Sequence, residues 1–298
     1  MKKTLYTTLL IVLCTFTLQA QKYKVYTSLT AALKNPEQVY ILNLMGKKLT
    51  KLPDEFKKLK NLENLDLKMN NLTEFSPYLT FCKNLKKLNL SHNKITSIPA
   101  DITKLNKLRT LNLSYNSIVE VPESTSKLLE LKRLVLSFNR IASLPSAINQ
   151  MAKLEYLDMG HNKLKKLPDL SKLKNMQVLN VEHNQLRSID SYVCSLEKLQ
   201  ELYANNNKLA VVSFSISQLK NLQILNVQSN QLVVLPATIT DIKTLRKLYL
   251  NNNKLNKLPY NLEKLSQLEA VFLKLNPISS NQKNKIKQQV PANCRVEF

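Results

Sequence analysis

The chain has 298 residues, 44% of them hydrophobic, with two glycines, no tryptophan and a formal charge of +23. So little glycine excludes glycine-rich phosphate loops, which need several backbone positions free of a Cβ. The basic balance favours acidic partners or anionic surfaces, depending on where the charge sits.

Residues 1–20 read as an export leader. Lys2 and Lys3 open it, Leu9 to Leu13 form its apolar centre, and Leu18-Gln19-Ala20 offers a cleavage site before Gln21. Cleavage near Ala20 predicts a chain that is secreted, periplasmic or held at the cell surface. No later stretch approaches the roughly 18 apolar residues of a membrane helix, so no transmembrane span is expected in the mature chain. Within residues 21–38, Ser28 to Leu33 predicts a short helix stopped by Asn35-Pro36, which would cap the N-terminal end of the core.

Residues 39–278 repeat. The run Leu-x-x-Leu-x-Leu-x-x-Asn-x-Leu-x-x-Leu recurs with its asparagine at Asn70, Asn93, Asn116, Asn139, Asn162, Asn184, Asn207, Asn230, Asn253 and Asn276. The spacing is 23 residues, shortened to 22 between Asn162 and Asn184. A degenerate first unit puts Lys47 at the asparagine position, which gives eleven units. In the fifth, Leu134 and Leu136 alternate with Arg133, Val135 and Ser137, the period-2 pattern of a strand with one buried face. Asn139 ends that strand, where its side chain can bond backbone groups that the turn leaves unpaired. Ile141 and Leu144 point inward, and Ile148 and Met151 come from a short helical piece on the outer side. One unit cannot cover its own apolar face, so the units must stack. Residues 279–298 read as a second cap: a polar helix over Asn281 to Val290, then Cys294, Val296 and Phe298 alternating with polar residues.

The stretch from Ile98-Pro99 to Asn116 resembles the 23-residue class of leucine-rich repeats shared by plant intracellular Ras-group and Ras-suppressor-like proteins. Tyr26 through Pro36 and Val290 through Phe298 resemble the caps of secreted bacterial leucine-rich repeat proteins. The resemblance covers about residues 25–298. It implies an α/β, right-handed solenoid shaped as a horseshoe, with a parallel concave sheet and short helical or 3-10 segments on the convex side. It implies partner binding as the activity and leaves the partner open. The chain departs from the pattern at Thr125, where an apolar outer residue belongs, and at the one-residue deletion near Asp169-Leu170.

Outward strand positions form columns across the concave face, neighbours lying about 4.7–4.9 Å apart. The column before the asparagines reads His92, Tyr115, Phe138, His161, His183, and holds every histidine of the chain. Such a strip, roughly 19 Å long by that spacing, suits stacking on a peptide or sugar. It equally suits a cross-strand ladder that stabilises the sheet. Tyr203, Tyr249 and Phe272 form a second column towards the C-terminus. The expected partner contacts are Tyr115, Phe138, Tyr156 and His161, with His183, Tyr203 and Tyr249 on the same face and Arg133 supplying a charge-assisted contact.

Acids and bases nearly balance on this face: Asp66, Asp158, Glu182 and Glu201 against Lys68, Lys87, Arg133, Lys247 and Lys274. The excess positive charge therefore collects on the rims. Lys48, Lys94, Arg140, Lys163, Lys208 and Lys254 follow the asparagine position, and Lys60, Lys83, Lys107, Lys153, Lys174, Lys198, Lys220 and Lys243 precede the strands. The rims read either as a solvated surface or as a contact for an anionic surface polymer. No nucleic-acid partner is expected, since no reading motif accompanies the charge.

Catalysis finds little support. Asp158, His161, Glu182 and His183 lie on adjacent units and could be drawn as a zinc site or acid–base cluster, but no short-range ligand motif or closed pocket accompanies them. No cofactor or metal is expected. The mature cysteines number three, with Cys82 replacing an inward leucine, Cys194 on the outer surface and Cys294 in the end cap, and no internal disulfide is expected. The expectation is a non-catalytic module at or outside the cell envelope that holds a protein or peptide on its concave face. Adhesion to anionic surface polysaccharide through the rims is the second reading, and a metal-dependent enzyme a distant third.

Overall fold

Alternation in the Leu-x-x-Leu-x-Leu run buries one side of every strand, and the 23-residue spacing sets each strand beside its equivalent in the next turn. A computed structural model describes residues 24–298; the expected leader lies outside the described residues. The strands join in one 13-stranded parallel sheet running from Val25–Tyr26 to Arg295–Glu297. The register never slips. Arg133, Leu134 and Val135 pair with Thr110, Leu111 and Asn112 on one side and with Tyr156, Leu157 and Asp158 on the other. Like residue therefore stacks on like residue, and Leu111, Leu134 and Leu157 form one continuous buried column. The fold is a leucine-rich repeat solenoid with the sheet on its concave side.

The convex returns are mostly 3-10 segments, as at Ala100–Lys104, Ser146–Gln150 and Ala237–Asp241. Pro99, Pro145 and Pro236 each stand immediately before one, where their fixed φ starts the turn without a donor being missed. One return is a single α-turn, Ser191–Cys194. The shortened unit, between the strands Tyr156–Asp158 and Val178–Asn180, has no 3-10 segment. Leu170, Leu173 and Met176 are buried there nonetheless, and Asp169 Oδ1 accepts the Ser171 N–H at 2.8 Å. Beside the main sheet, Ser188–Ile189 and Val211–Val212 pair as a separate two-stranded parallel sheet.

Asparagine closes every turn after the first, where Lys47 holds its place. Asn139 Nδ2 donates to the carbonyls of Leu113 at 2.9 Å and of Leu136 at 3.0 Å, while its Oδ1 accepts the Ile118 N–H at 2.9 Å. All of these groups are backbone, one on the asparagine's own turn and two on the preceding one, so the side chain ties consecutive turns together. The same pattern runs from Asn70 to Asn276.

Thr125 breaks the apolar outer column, where Ile102 and Ile148 are its neighbours. It is fully buried, and its hydroxyl has no partner; the hydroxyls of Ser124 and Ser126 are likewise buried and unpaired. Buried hydroxyls without partners are costly, and this is a local fault in the packing.

At the ends, an α-helix spans Leu29–Lys34, capped by Ser28. Another spans Ser280–Gln288, capped by Ser279, so it starts one residue before the expected helix and ends two before it. The final strand, Arg295–Glu297, pairs with Ala270–Phe272 and closes the sheet edge. The sequence places Cys194 on the outer surface; the structure corrects this, because Val193 and Cys194 are both buried under the convex side, as Leu79–Thr80 and Ile239–Thr240 are at the same place in other turns. Burial pushes the Cys194 thiol up to about 11 and the Cys82 thiol up to about 12, so both stay protonated. Cys82, Cys194 and Cys294 are free. No described helix is long and apolar enough to cross a membrane.

Candidate binding face

His92, Tyr115, Phe138, His161 and His183 do form a continuous stack. Successive ring centroids lie 4.1, 4.0, 3.9 and 4.0 Å apart, with planes within 13° of parallel. Their backbone setting differs from the expected one. They are not strand residues: each follows the strand in the left-handed region, with φ between 48° and 55°. The turn into the asparagine takes this conformation in every unit, and outside the ring stack Gly46, Met69, Asn206, Ser229, Asn252 and Leu275 supply it. The rings therefore line the asparagine-side margin of the concave sheet. Tyr115 is 43% exposed and Phe138 37%. Burial holds the His161 imidazole below its ordinary value, helped by His183 and opposed by Glu182 and Asp158.

Arg133 and Tyr156 sit opposite each other on adjacent strands. The guanidinium carbon lies 3.4 Å from the Tyr156 ring centroid, so the charge that the sequence offers to a partner already stacks within the protein. Burial raises the Tyr156 phenol, Asp158 adds to the effect, and Arg133 opposes it.

The second column is discontinuous. Tyr249 and Phe272 stack at 4.6 Å, but Asn226 separates them from Tyr203. Tyr203 instead donates its hydroxyl to Glu201 Oε2 at 2.8 Å, and burial together with this carboxylate raises its pKa.

Sequence reasoning missed a further ladder. Asp66, Asn89, Asn112, Asp158 and Asn180 each accept, through Oδ1, the N–H two residues later, at 2.8, 3.1, 3.0, 3.0 and 2.9 Å. These are Asx turns, and their signal was an Asx two residues before a small or polar residue at the repeat spacing. Asp66 and Asp158, open concave charges by sequence, each commit one oxygen to this job.

The two rims differ in electrostatics. On the strand-entry side, basic and acidic side chains pair across turns: Lys86–Glu63 at 2.8 Å, Lys132–Glu155 at 2.7 Å, Lys153–Glu130 at 2.5 Å and Lys174–Glu197 at 2.7 Å. On the asparagine side, Lys48, Lys94, Arg140, Lys163, Lys208 and Lys254 are all exposed, and none takes part in an ion pair among the described residues. Among the described residues, no group of three or more His, Cys, Asp or Glu side chains is arranged to hold a metal ion.

Residues 77–204 match a family model described as a leucine-rich repeat region, and residues 244–265 match the leucine rich repeat. No curated protein matches the chain. Among solved structures, YopM from Yersinia enterocolitica is similar at 29% identity, over 79% of this chain and 45% of its own, with a TM-score of 0.59. The plant peptide hormone receptor RGFR1, solved in complex with RGF2, is similar at 25% identity, over 80% of this chain and 47% of its own, with a TM-score of 0.60. The functional domain of InlJ from Listeria monocytogenes is similar in fold, at 23% identity over 83% and 51% of the two chains and a TM-score of 0.72. The chain spans about half the length of each of these three.

Proposed function

We propose that this leucine-rich repeat solenoid is a non-catalytic binding module, exported to the cell envelope or exterior, that holds a protein or peptide on its concave face. The observation that carries the reading is the ring stack on left-handed backbone. Five rings on consecutive turns stand where glycine or asparagine is cheaper, at about 1–2 kcal/mol per residue for an ordinary side chain. Stacking returns about 0.5–1.5 kcal/mol for each pair. Four stacked pairs thus return about 2–6 kcal/mol against about 5–10 kcal/mol for five such residues, so stability alone gives little reason for rings there, and a surface of aromatic edges beside a curved sheet is the better reason. RGFR1, solved with the peptide RGF2, is a fold relative that engages such a ligand.

Contact runs along Tyr115, Phe138, His161 and His183 at the margin and reaches Tyr156 and Arg133 on the sheet, with Tyr203 and Tyr249 extending it towards the C-terminus. Stacking on Tyr156 leaves the edge donors of the Arg133 guanidinium available to a carboxylate. The test uses a partner recovered with the mature chain from surface extracts. Phe138→Ala and Tyr156→Ala should each weaken its affinity at least about tenfold, as central aromatic anchors do. Unchanged affinity with an unchanged unfolding temperature removes the reading.

The bare asparagine-side rim favours one second reading, adhesion to an anionic surface polymer. Binding of that kind falls steeply with added salt. It survives Phe138→Ala, and it is lost when Lys94, Arg140 and Lys163 are changed together to Gln.

A further inference from the structure

We propose that Phe214 and Tyr260 wall a docking groove for an apolar, acid-flanked peptide segment of a second protein, on the face between the asparagine-side rim and the convex returns. The groove lies off the concave sheet, so it stands whatever that sheet holds.

Two columns change character at one place. Four residues after the asparagine position stand Glu74, Ser97, Glu120, Ser143, Lys166 and Ser188, and then Val211 and Val234. Seven residues after it, the earlier turns carry no ring and use residues such as Glu123, Ser146, Asp169 and Ser191; Phe214 and, two turns on, Tyr260 then take that position. Polar residues serve the fold at both positions, so it does not require apolar ones. Val211, Val234, Phe214 and Tyr260 are nevertheless all exposed, Phe214 at 74% and Tyr260 at 69%. Contiguous apolar surface left open to water marks a contact site.

The four side chains meet in one groove. Ala237 holds the ring position on the turn between Phe214 and Tyr260, so a methyl group lies between two rings. The rings are two turns apart, roughly 10 Å by strand spacing, which leaves room for a side chain to enter. The groove has a volume of about 280 Å³, and Val211, Val234, Ala237 and Lys257 line it together with both rings. Backbone holds its walls in place. The Thr238 hydroxyl donates to the Phe214 carbonyl at 2.7 Å and fastens that turn to the next. On the turn of Pro236 the 3-10 segment begins directly at Ala237, but on the turn of Pro259 it begins only at Leu262. Asn261 bridges the difference with a left-handed φ of 65°, and Tyr260 is left outside the segment.

Charge selects the occupant. Residues 208–215, 231–238 and 254–261 make up this face on its three turns, and they contain Lys208, Lys254 and Lys257 and no acid. All three lysines are exposed, and none takes part in an ion pair among the described residues. A segment that buries a leucine or phenylalanine between the rings and sets carboxylates beside it answers both features. A second copy of this chain, with its formal charge of +23, would bring like charge instead.

The test titrates the full chain at low salt with acetyl-Asp-Leu-Phe-Asp-amide, with acetyl-Lys-Leu-Phe-Lys-amide and with acetyl-Asp-Ala-Ala-Asp-amide. Phe214→Ser, Tyr260→Ser and Lys257→Ser install the residue that Ser146 and Ser143 supply at the same positions of another turn, so all three variants should fold, and their unfolding temperatures confirm it. The first peptide should bind saturably, and the other two at least about tenfold more weakly. Each ring variant should weaken the first peptide about tenfold, and Lys257→Ser about threefold, as an exposed charge pair does. Absence of saturable binding, equal affinity in the ring variants, or preference for the lysine peptide overturns the proposal. Self-association of the parent chain that both ring variants abolish also overturns it, because a second copy would then be the occupant.

Discussion

His161 and Asn162 are neighbours in sequence, and each stands in a column that repeats along the solenoid, yet the columns do opposite work. Asn162 is buried and makes four hydrogen bonds to backbone: to the carbonyls of Leu136, Met159 and Gly160, and from the N–H of Ile141. His161 is partly exposed, on left-handed backbone, and touches the rings on either side of it. The asparagine side chain satisfies the turn, which leaves the preceding position free of any bonding duty. Where one residue of a repeat closes the structure, its neighbour can vary, and the variation is where recognition has room. The ring column is such a departure, at a position whose side chain the fold does not dictate.

The sharpest way to break this contrast is to damage the buried column. Asn162→Ala removes an acceptor for Ile141 and a donor for three carbonyls, and unsatisfied buried groups cost about 1–3 kcal/mol apiece. Denaturant unfolding should show a loss at the top of that range or beyond. A loss below about 1 kcal/mol would mean that water reaches the turn and that the ladder is decorative. The reverse experiment repairs a buried column. Thr125→Ile replaces an unpaired hydroxyl with the apolar group that Ile102 and Ile148 supply on neighbouring turns. It should stabilise by about 2 kcal/mol, the gain expected from burying one more methylene and removing one orphaned hydroxyl. Destabilisation would show instead that the backbone has closed around the smaller side chain.

Changes in the exposed column should cost much less. Phe138→Asn breaks two stacks but installs a residue that Asn206 and Asn252 use at the same φ, so the losses of stacking and the relief of strain offset each other. Stability should move by less than about 1 kcal/mol, measured by the denaturant midpoint. A larger loss would make the stack a structural ladder after all and weaken its use as a binding strip.

These contrasts also show what the sequence could carry. Strand register, the asparagine ladder and the continuity of the core are legible because each rests on one residue type recurring at one spacing. Five rings in one column are legible for the same reason. Their left-handed backbone is not, since the φ of a turn is set by how the next strand is entered and leaves no mark on residues as unlike as Met69, His92 and Leu275. Burial of Cys194 escapes because its position in the return is filled by residues as unlike as Thr80, Ser126 and Thr240, all buried, so no apolar spacing marks it. The Arg133–Tyr156 stack depends on which outward residues fall side by side, a matter of register combined with side-chain reach.

The smallest effect tests whether the exposed column bears any load in folding, and His161 is the residue that allows it. Burial against the stack and the neighbouring His183 lower its pKa from 6.5, while Glu182 and Asp158 pull the other way and lose. A histidine lowered in the folded state binds fewer protons there than in the unfolded chain. Between the lowered value and 6.5 the unfolded state therefore holds the extra proton, and stability rises with pH. The contribution is complete above 6.5 and is lost as pH falls through that window. His161→Asn keeps a residue suited to left-handed backbone and cannot titrate. The difference in unfolding temperature between the parent chain and this variant should shrink or change in the variant's favour as pH drops from roughly 8 to 5. A difference that is flat with pH would mean that the imidazole carries no folding energy through its charge. The ring stack would then be as independent of the fold as its position on the margin suggests, and the two columns would be fully separated in role.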